Sequence, residues 1–408
     1  MSRSSSRFDK QNELIRTLRK QLEVTERELA NQKWVFEQFL KSPAWRMTSP
    51  LRWFARQFRQ LRSAPGDAPA SADSKAALQT DVVETEFDGP AGLKEFLTSL
   101  YRVQLQSFLN SKTPLVLPHS ETPEISVILV LFNRAELTLS CLRSIAENHA
   151  ERLEIIIVDN ASQDETTPLL DLLGGARIIR NAENRNFVLA VNQAAREARG
   201  QYLLLLNNDA QLLPGTLRSA VNTIRSSPDI GAVGGKLILL DGSLQEAGSI
   251  VWRDGSCLGY GRGDNPFAPM YMFRRDVDYC SAAFLLTPRT LWEQLGGFDE
   301  AFKPAYYEET DYCARVWEQG LRVVYDPNAV LLHYEFASSN SMKSATDLQR
   351  QHQQVFAERH RDLLSQQQEP DLNAILPARM KAQSKRRVLF VDDQVPHPWL
   401  GSGYPRAL

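Results

Sequence analysis

The chain has 408 residues, 47 basic against 49 acidic, 43% apolar and only four cysteines. This composition is that of a folded protein of one large or two ordinary domains, and it excludes wholesale disorder. Cys141, Cys257, Cys280 and Cys313 stand far apart without a Cys-x-x-Cys pair, which excludes a disulfide scaffold and a cysteine zinc cage.

Residues 8–41 contain neither Gly nor Pro, and Phe8, Ile15, Leu22, Leu29 and Phe36 form an apolar column at seven-residue spacing. The second column (Gln11, Leu18, Thr25, Gln32, Phe39) is mixed. This pattern predicts a coiled coil and a homo-oligomer, or else one amphipathic helix lying on its own domain. In residues 42–63, Arg46, Arg52, Arg56, Arg59 and Arg62 interleave with Trp53, Phe54, Phe58 and Leu61. Such a basic amphipathic segment fits an anionic membrane surface; a helix packed on the coiled coil with solvated arginines is the plainer alternative. Residues 1–66 hold 14 basic and six acidic side chains, a balance of +8 in a chain of net −2. The positive charge thus belongs to this arm and not to the body, so no nucleic-acid partner is expected. No apolar run reaches spanning length and the polar start is no signal peptide, so a cytoplasmic location is expected, peripheral to the membrane if the arm docks.

Residues 64–88 read as a flexible linker and 89–121 as a helical lead-in. Short apolar runs then follow at Ile125–Phe132, Ile155–Val158, Arg177–Ile179 and Tyr202–Leu206, with helical patterns at Leu137–Asn148 and Val188–Arg199. Alternating strands and helices with wholly apolar strands predict an α/β fold: a doubly wound, largely parallel sheet with helices on both faces. Ligands of such sheets bind at the carboxyl ends of the strands. The residues there are Asn133, Asp159, Asn160, Asp164, Asn181, Asn184 and the run Asn207-Asn208-Asp209. A turn alone explains any one of them, but four successive strand ends are harder to dismiss. There is no P-loop and no dinucleotide fingerprint.

Ser126-Val-Ile-Leu-Val-Leu-Phe-Asn133, Ile157-Val-Asp-Asn-Ala-Ser-Gln-Asp164 and Leu205-Leu-Asn-Asn-Asp-Ala-Gln-Leu-Leu-Pro-Gly215 resemble the family 2 glycosyltransferases of the GT-A fold, over residues 122–340. The resemblance implies a nucleoside-diphosphate-sugar donor, held by Asn133, Asp159, Asn160, Asp164, Asn184, Asn192, Asn207 and Asn208. It implies Mg or Mn at Asp209, with His333 either a further ligand or structural; a divalent cation takes one or two carboxylates plus substrate phosphates. Tyr306-Tyr-Glu-Glu-Thr-Asp311 resembles the acceptor-side segment, with Glu309 as base beside Glu308 and Asp311. Three carboxylates in four positions should raise at least one pKa; the alternative is an acid-rich helix start serving the dipole.

The implied reaction is inverting transfer to a glycan or lipid-linked glycan, in bacterial surface polysaccharide synthesis with rhamnose among the guesses. The sequence departs from the resemblance where Asn186 replaces glycine, where Val188 and Leu189 are bulky, and at Ser281-Ala282-Ala283. Those changes bear on the sugar pocket. A catalytically weak domain on a membrane-docked scaffold is one rival. A nucleotidyltransferase is another, disfavoured because Phe132-Asn133-Arg134 is no phosphate loop. Residues 341–385 read as a helical tail or linker, and 386–408 resemble the start of a truncated GT-B-like domain.

Overall fold

The computed structural model describes residues 89–148, 152–335 and 342–380. The expected coiled coil, basic segment, linker and GT-B-like start lie outside them. The chain runs α1 (Gly89–Ser111), β1 (Leu115–Val116), β2 (Ile125–Leu131), α2 (Ala135–Asn148), β3 (Leu153–Asp159), α3 (Thr166–Asp171), β4 (Leu173–Gly174), β5 (Ala176–Arg180), α4 (Asn186–Arg196) and β6 (Tyr202–Leu206). Next come β7 (Ala210–Leu212), α5 (Thr216–Arg225), β8 (Ile230–Leu239), β9 (Leu244–Ala247), β10 (Ser249–Val251), β11 (Cys257–Gly259) and β12 (Arg275–Asp276). β13 (Phe284–Pro288), α6 (Arg289–Leu295), α7 (Glu308–Glu318), β14 (Arg322–His333), α8 (Met342–Arg359), α9 (Arg361–Ser365) and α10 (Ile375–Ala378) complete it.

The main sheet has the order β12-β14-β8-β13-β6-β2-β3-β5, with β7 beside β14 and β9 beside β8. β5, β3, β2 and β6 are parallel. Period-two alternation sends Val127, Leu129, Ile155 and Ile157 into one apolar core and Ile128, Ile156, Val158 and Leu203 into the other. Both faces are therefore covered, α2 packing Leu142 and Ile145 on one and α4 packing Val188 and Val191 on the other.

The sheet is mixed, which corrects the largely parallel expectation. β13 runs antiparallel between β6 and β8. A fully apolar run such as Phe284-Leu-Leu shows that a strand is buried on both faces, but not which way it runs.

The tail is helical, and it packs on the domain. His352, Phe356, His360 and Leu364 recur every four residues and are all buried, a stripe of helical period on a segment that reads as polar. The stripe packs Phe356 and Leu364 with Phe302 and Ala314, next to α7 and the turn before it.

Candidate active site

Asn133, Asp159, Asn207, Asn208 and Asp209 follow or end parallel strands at their carboxyl edge. On one side, Asn133 and Arg134 leave β2 in the left-handed region, at φ 61° and 64°. Asn133 Oδ1 accepts the Gln163 amide at 2.7 Å, and its own amide donates to Ser162 Oγ at 2.8 Å. Asp159, ending β3, is buried and accepts the Ser162 amide at 3.0 Å. Asp164 accepts Ala135 N and Thr166 N, both at 3.0 Å, and so ties the starts of α2 and α3 together. These loops and α1 enclose a cavity of about 540 Å³ lined by Arg102, Gln106, Phe132, Asn133, Arg134 and Asp164 among others. Arg102 and Gln106 belong to the lead-in helix, and no motif in the sequence points to them.

Three of the expected donor contacts, Asn160, Asn192 and Asn208, make side-chain hydrogen bonds within the protein. Asn160 donates to Asn184 Oδ1 at 2.8 Å and Asn186 O at 3.2 Å, and accepts from Asn181 Nδ2 and Arg185 N at 3.0 Å each. All four of its hydrogen-bonding positions are thereby used inside the protein. The hub fixes Asn184 and the turn in which Asn186 takes the left-handed conformation usual for glycine (φ 62°). Asn192 brackets Phe298, donating to its carbonyl at 2.8 Å and accepting from its amide at 3.0 Å. Asn208 turns toward α2, donating to Thr138 Oγ1 at 2.9 Å.

Asp209 and His333 meet at the middle of this edge. His333 Nε2 lies 3.1 Å from Asp209 Oδ1 and 3.3 Å from Asn207 Nδ2, and Nδ1 is 2.8 Å from Gln245 Oε1. Burial opposes the charge on Asp209, but the imidazole outweighs it and holds the carboxyl below its ordinary value. Burial likewise opposes a charged His333, and Asp209 more than restores it, raising that pKa. The donor set suits a hard divalent cation. Gln245 fixes a proton on Nδ1, which turns Nε2 toward the carboxylate, the second-sphere arrangement that metal-binding histidines use. Among the described residues no cluster of three His, Cys, Asp or Glu could hold a metal. A cation here would take its remaining ligands from phosphate and water, as Mg and Mn commonly do.

The acids at the start of α7 follow two residues with strained backbone, Tyr306 (φ 76°) and Tyr307 (φ 72°). The strain is held from outside: His352 Nδ1 lies 2.9 Å from Tyr306 O, and Tyr307 Oη donates to Gly255 O at 2.9 Å. Glu308 is buried, with Oε2 lacking any partner. Burial, then the charge of Glu309, pushes its pKa well up. Burial and then Glu246 raise Glu309 to about 7. Both carboxyls are therefore raised, and as an interacting pair they hold a proton closer to neutrality than isolated carboxyls do.

Asp311 is not part of this cluster, which corrects the three-carboxylate expectation. Its carboxylate points away, to Arg315 Nη2 at 2.7 Å and His360 Nε2 at 3.0 Å. Two positions along a helix put Asp311 about 200° round the axis from Glu309, so closeness in sequence did not mean one shared face.

Glu246 is the site residue that sequence reasoning missed. It is buried on β9, one residue past Gln245, and accepts Ser281 N and Ser249 Oγ at 3.1 Å each. Burial raises its pKa. The next amide, that of Ala282, hydrogen-bonds Glu309. The signal was Asp241-Gly-Ser-Leu-Gln-Glu246, a glycine turn returning an acid to the sheet, but nothing in the wording tells a structural acid from a functional one.

The α/β sheet gathers polar groups at its strand ends, where Gln245 binds His333 and its neighbour Glu246 bears on Glu309. Residues 126–253 match the family model described as Glycosyl transferase family 2. That stretch of the chain is therefore similar to the glycosyltransferases of that family, and it lies on a mixed α/β sheet. It is 29% identical over 292 residues to the O-antigen biosynthesis protein RfbC of Myxococcus xanthus, covering 68% of this chain and 22% of that protein. The chain thus spans about a fifth of that relative's length. It is 26% identical over 266 residues to an N-acetylglucosaminyl-diphospho-decaprenol L-rhamnosyltransferase of Mycobacterium tuberculosis, covering 59% of this chain and 86% of that one. Among solved structures it is similar to the mannosyltransferase PcManGT from Pyrobaculum calidifontis in complex with GDP-Man and Mn2+, at 20% identity and TM-score 0.42, covering 68% of this chain and 76% of that one.

Proposed function

We propose that the chain is an inverting, metal-dependent glycosyltransferase that moves a sugar from a nucleoside-diphosphate sugar to a hydroxyl of a lipid-linked glycan in bacterial surface polysaccharide synthesis. The observation that carries this reading is the placement of Glu309, with a pKa of about 7, on the same sheet edge as the Asp209–His333 pair. The rhamnosyltransferase relative, named for a decaprenol-linked substrate, supports the choice of acceptor class.

Glu309 takes the proton of the acceptor hydroxyl, whose oxygen attacks the anomeric carbon from the face opposite the departing nucleoside diphosphate. A base titrating near neutral pH suits that task. Glu308, kept neutral by burial and by its neighbour, adds no second negative charge beside the incoming hydroxyl. Asp159 and the Asn133 loop hold the nucleoside, and Asn160 keeps the adjoining turn in shape. Asp209 and His333 would hold a divalent cation, which supplies Lewis-acid stabilisation of the charge on the leaving diphosphate.

A thermal-shift screen of nucleotide sugars with Mg or Mn tests this reading, since a ligand that binds the native state raises its stability. The expected result is a rise in Tm that needs donor and metal together and is lost in Asp209→Ala. A shift indifferent to metal, or no shift with any nucleotide sugar, contradicts it.

A further inference from the structure

The two acids at the start of α7 are aimed by the backbone around them. Main-chain amides hold both carboxyls: those of Tyr306 and of Glu308 itself reach Glu308, and those of Glu309, Thr310 and Ala282 reach Glu309. Four of these five amides belong to residues 306–310, so the path of that turn decides where the carboxyls point. The turn is not one its residues adopt by preference. Tyr306 and Tyr307 are two successive bulky residues in the left-handed region, a conformation that persists only where the surroundings impose it.

α8 supplies those surroundings. His352, 2% exposed, places Nδ1 2.9 Å from Tyr306 O; a carbonyl only accepts, so that nitrogen carries the proton. The His352 ring is seated edge-on against the buried Phe302, with centroids 5.6 Å apart. Four residues on, Phe356 packs against the Tyr307 ring at 5.5 Å. The Tyr307 hydroxyl donates to Gly255 O at 2.9 Å, and Gly255 lies so close to α8 that a Cβ there would stand 3.2 Å from that of Ala357. Gln353 Nε2 donates to Asp254 O at 3.1 Å, and Arg359 Nη1 donates to Asp299 Oδ2 at 2.6 Å. One helix thus grips the turn at both tyrosines and also holds the neighbouring loops at Asp254 and Asp299. We propose that α8 is a positioning element for the base, with His352 the positioning residue: it holds Tyr306 and Tyr307 in the conformation whose amides aim Glu308 and Glu309. The claim rests on the reading of Glu309 as the base, and His352 acts through the turn without taking a proton from substrate.

Two measurements on the full chain test it, on the parent, His352→Leu, His352→Asn and Tyr307→Phe. The Asn amide can donate from the place of Nδ1, and Leu cannot; Tyr307→Phe removes only the hydroxyl and keeps the ring on Phe356. Backbone hydrogen exchange of residues 306–310 is expected to quicken several-fold in His352→Leu and to return toward the parent in His352→Asn. Single-turnover sugar transfer is expected to fall by about tenfold or more in His352→Leu, to recover in His352→Asn and to fall more mildly in Tyr307→Phe. Donor affinity stays at the parent value throughout, whereas a general loosening of the domain would weaken donor binding and transfer together. The proposal is overturned if His352→Leu transfers at the parent rate, if His352→Asn is as slow as His352→Leu, if donor affinity falls along with transfer, or if exchange in 306–310 is unchanged. Were His352→Leu not to fold, transfer at the parent rate by Tyr307→Phe would overturn it. A parent that transfers no sugar sinks the glycosyl-transfer reading instead, and unchanged exchange in 306–310 would then sink the role of His352 as well.

Discussion

Asp311 Oδ1 lies 3.0 Å from His360 Nε2, and His360 Nδ1 reaches Glu318 at 2.7 Å, so one histidine of the C-terminal tail bridges two acids of the helix that begins with Glu308 and Glu309. The tail thereby braces that helix. Burial opposes the charge on His360, and the two acids more than compensate, so its pKa stands above the ordinary value in the folded chain. A group raised in this way stabilises fully below its unfolded pKa of about 6.5, and the contribution fades as pH rises past the folded value. His360→Ala is expected to cost about 2 kcal/mol in mildly acidic solution, because it leaves the buried Asp311 carboxylate short of a partner. Denaturant unfolding at several pH values checks this, and the gap between parent and variant should narrow as the solution is made alkaline.

Glu246 and Glu309 take the consecutive amides of Ser281 and Ala282, and the charge of Glu246 is among the causes that raise Glu309. The base works deprotonated, so the rate should fall as pH drops through about 7. Glu246→Gln removes one negative charge while keeping an acceptor for Ser281 N. The acidic limb of the pH–rate profile is expected to move down by about half a unit or more. An unmoved limb would show that Glu246 does not act on the base.

Gln245 accepts from His333 Nδ1. Gln245→Leu should free the ring to turn or change tautomer and weaken Mn or Mg binding about tenfold, with little change in Tm. Calorimetric titration of metal in the presence of donor nucleotide checks it.

Asn160→Ala strips four hydrogen bonds from a nearly closed cluster. The expected loss is roughly 2–3 kcal/mol of stability, alongside weaker donor binding as the Asn184–Asn186 turn loosens. If donor affinity falls with no loss of stability, Asn160 touches the donor after all.

The parallel strands and their intervening helices were legible because burial on both faces demands unbroken apolar runs such as Ile155–Val158, and the paired helices show the helical period. The places of Asp159, Asp209, Glu309 and His333 in the fold were legible because each lies at or just beyond a strand end or in the first turn of a helix. What stayed hidden depended on partners distant in sequence. Asn160 and Asn192 read as ligands because their wording matches a binding loop, yet their bonds go to residues 21 to 26 and 106 positions away. Glu246 was hidden because its role is set by Ser281 and Ala282, and the brace of His352 and His360 because the tail carrying them is mostly polar outside its stripe. The direction of β13 had no local signal at all.

The most direct test of the central claim is sugar transfer by Glu309→Gln in a single-turnover assay, with donor affinity measured on the same preparation. The variant keeps the size and hydrogen bonding of the side chain but cannot accept the proton. Transfer is predicted to fall by ~10²-fold or more, with donor affinity and Tm unchanged. Transfer at the parent rate by Glu309→Gln would contradict the account, as would a dead Glu308→Gln beside an active Glu309→Gln.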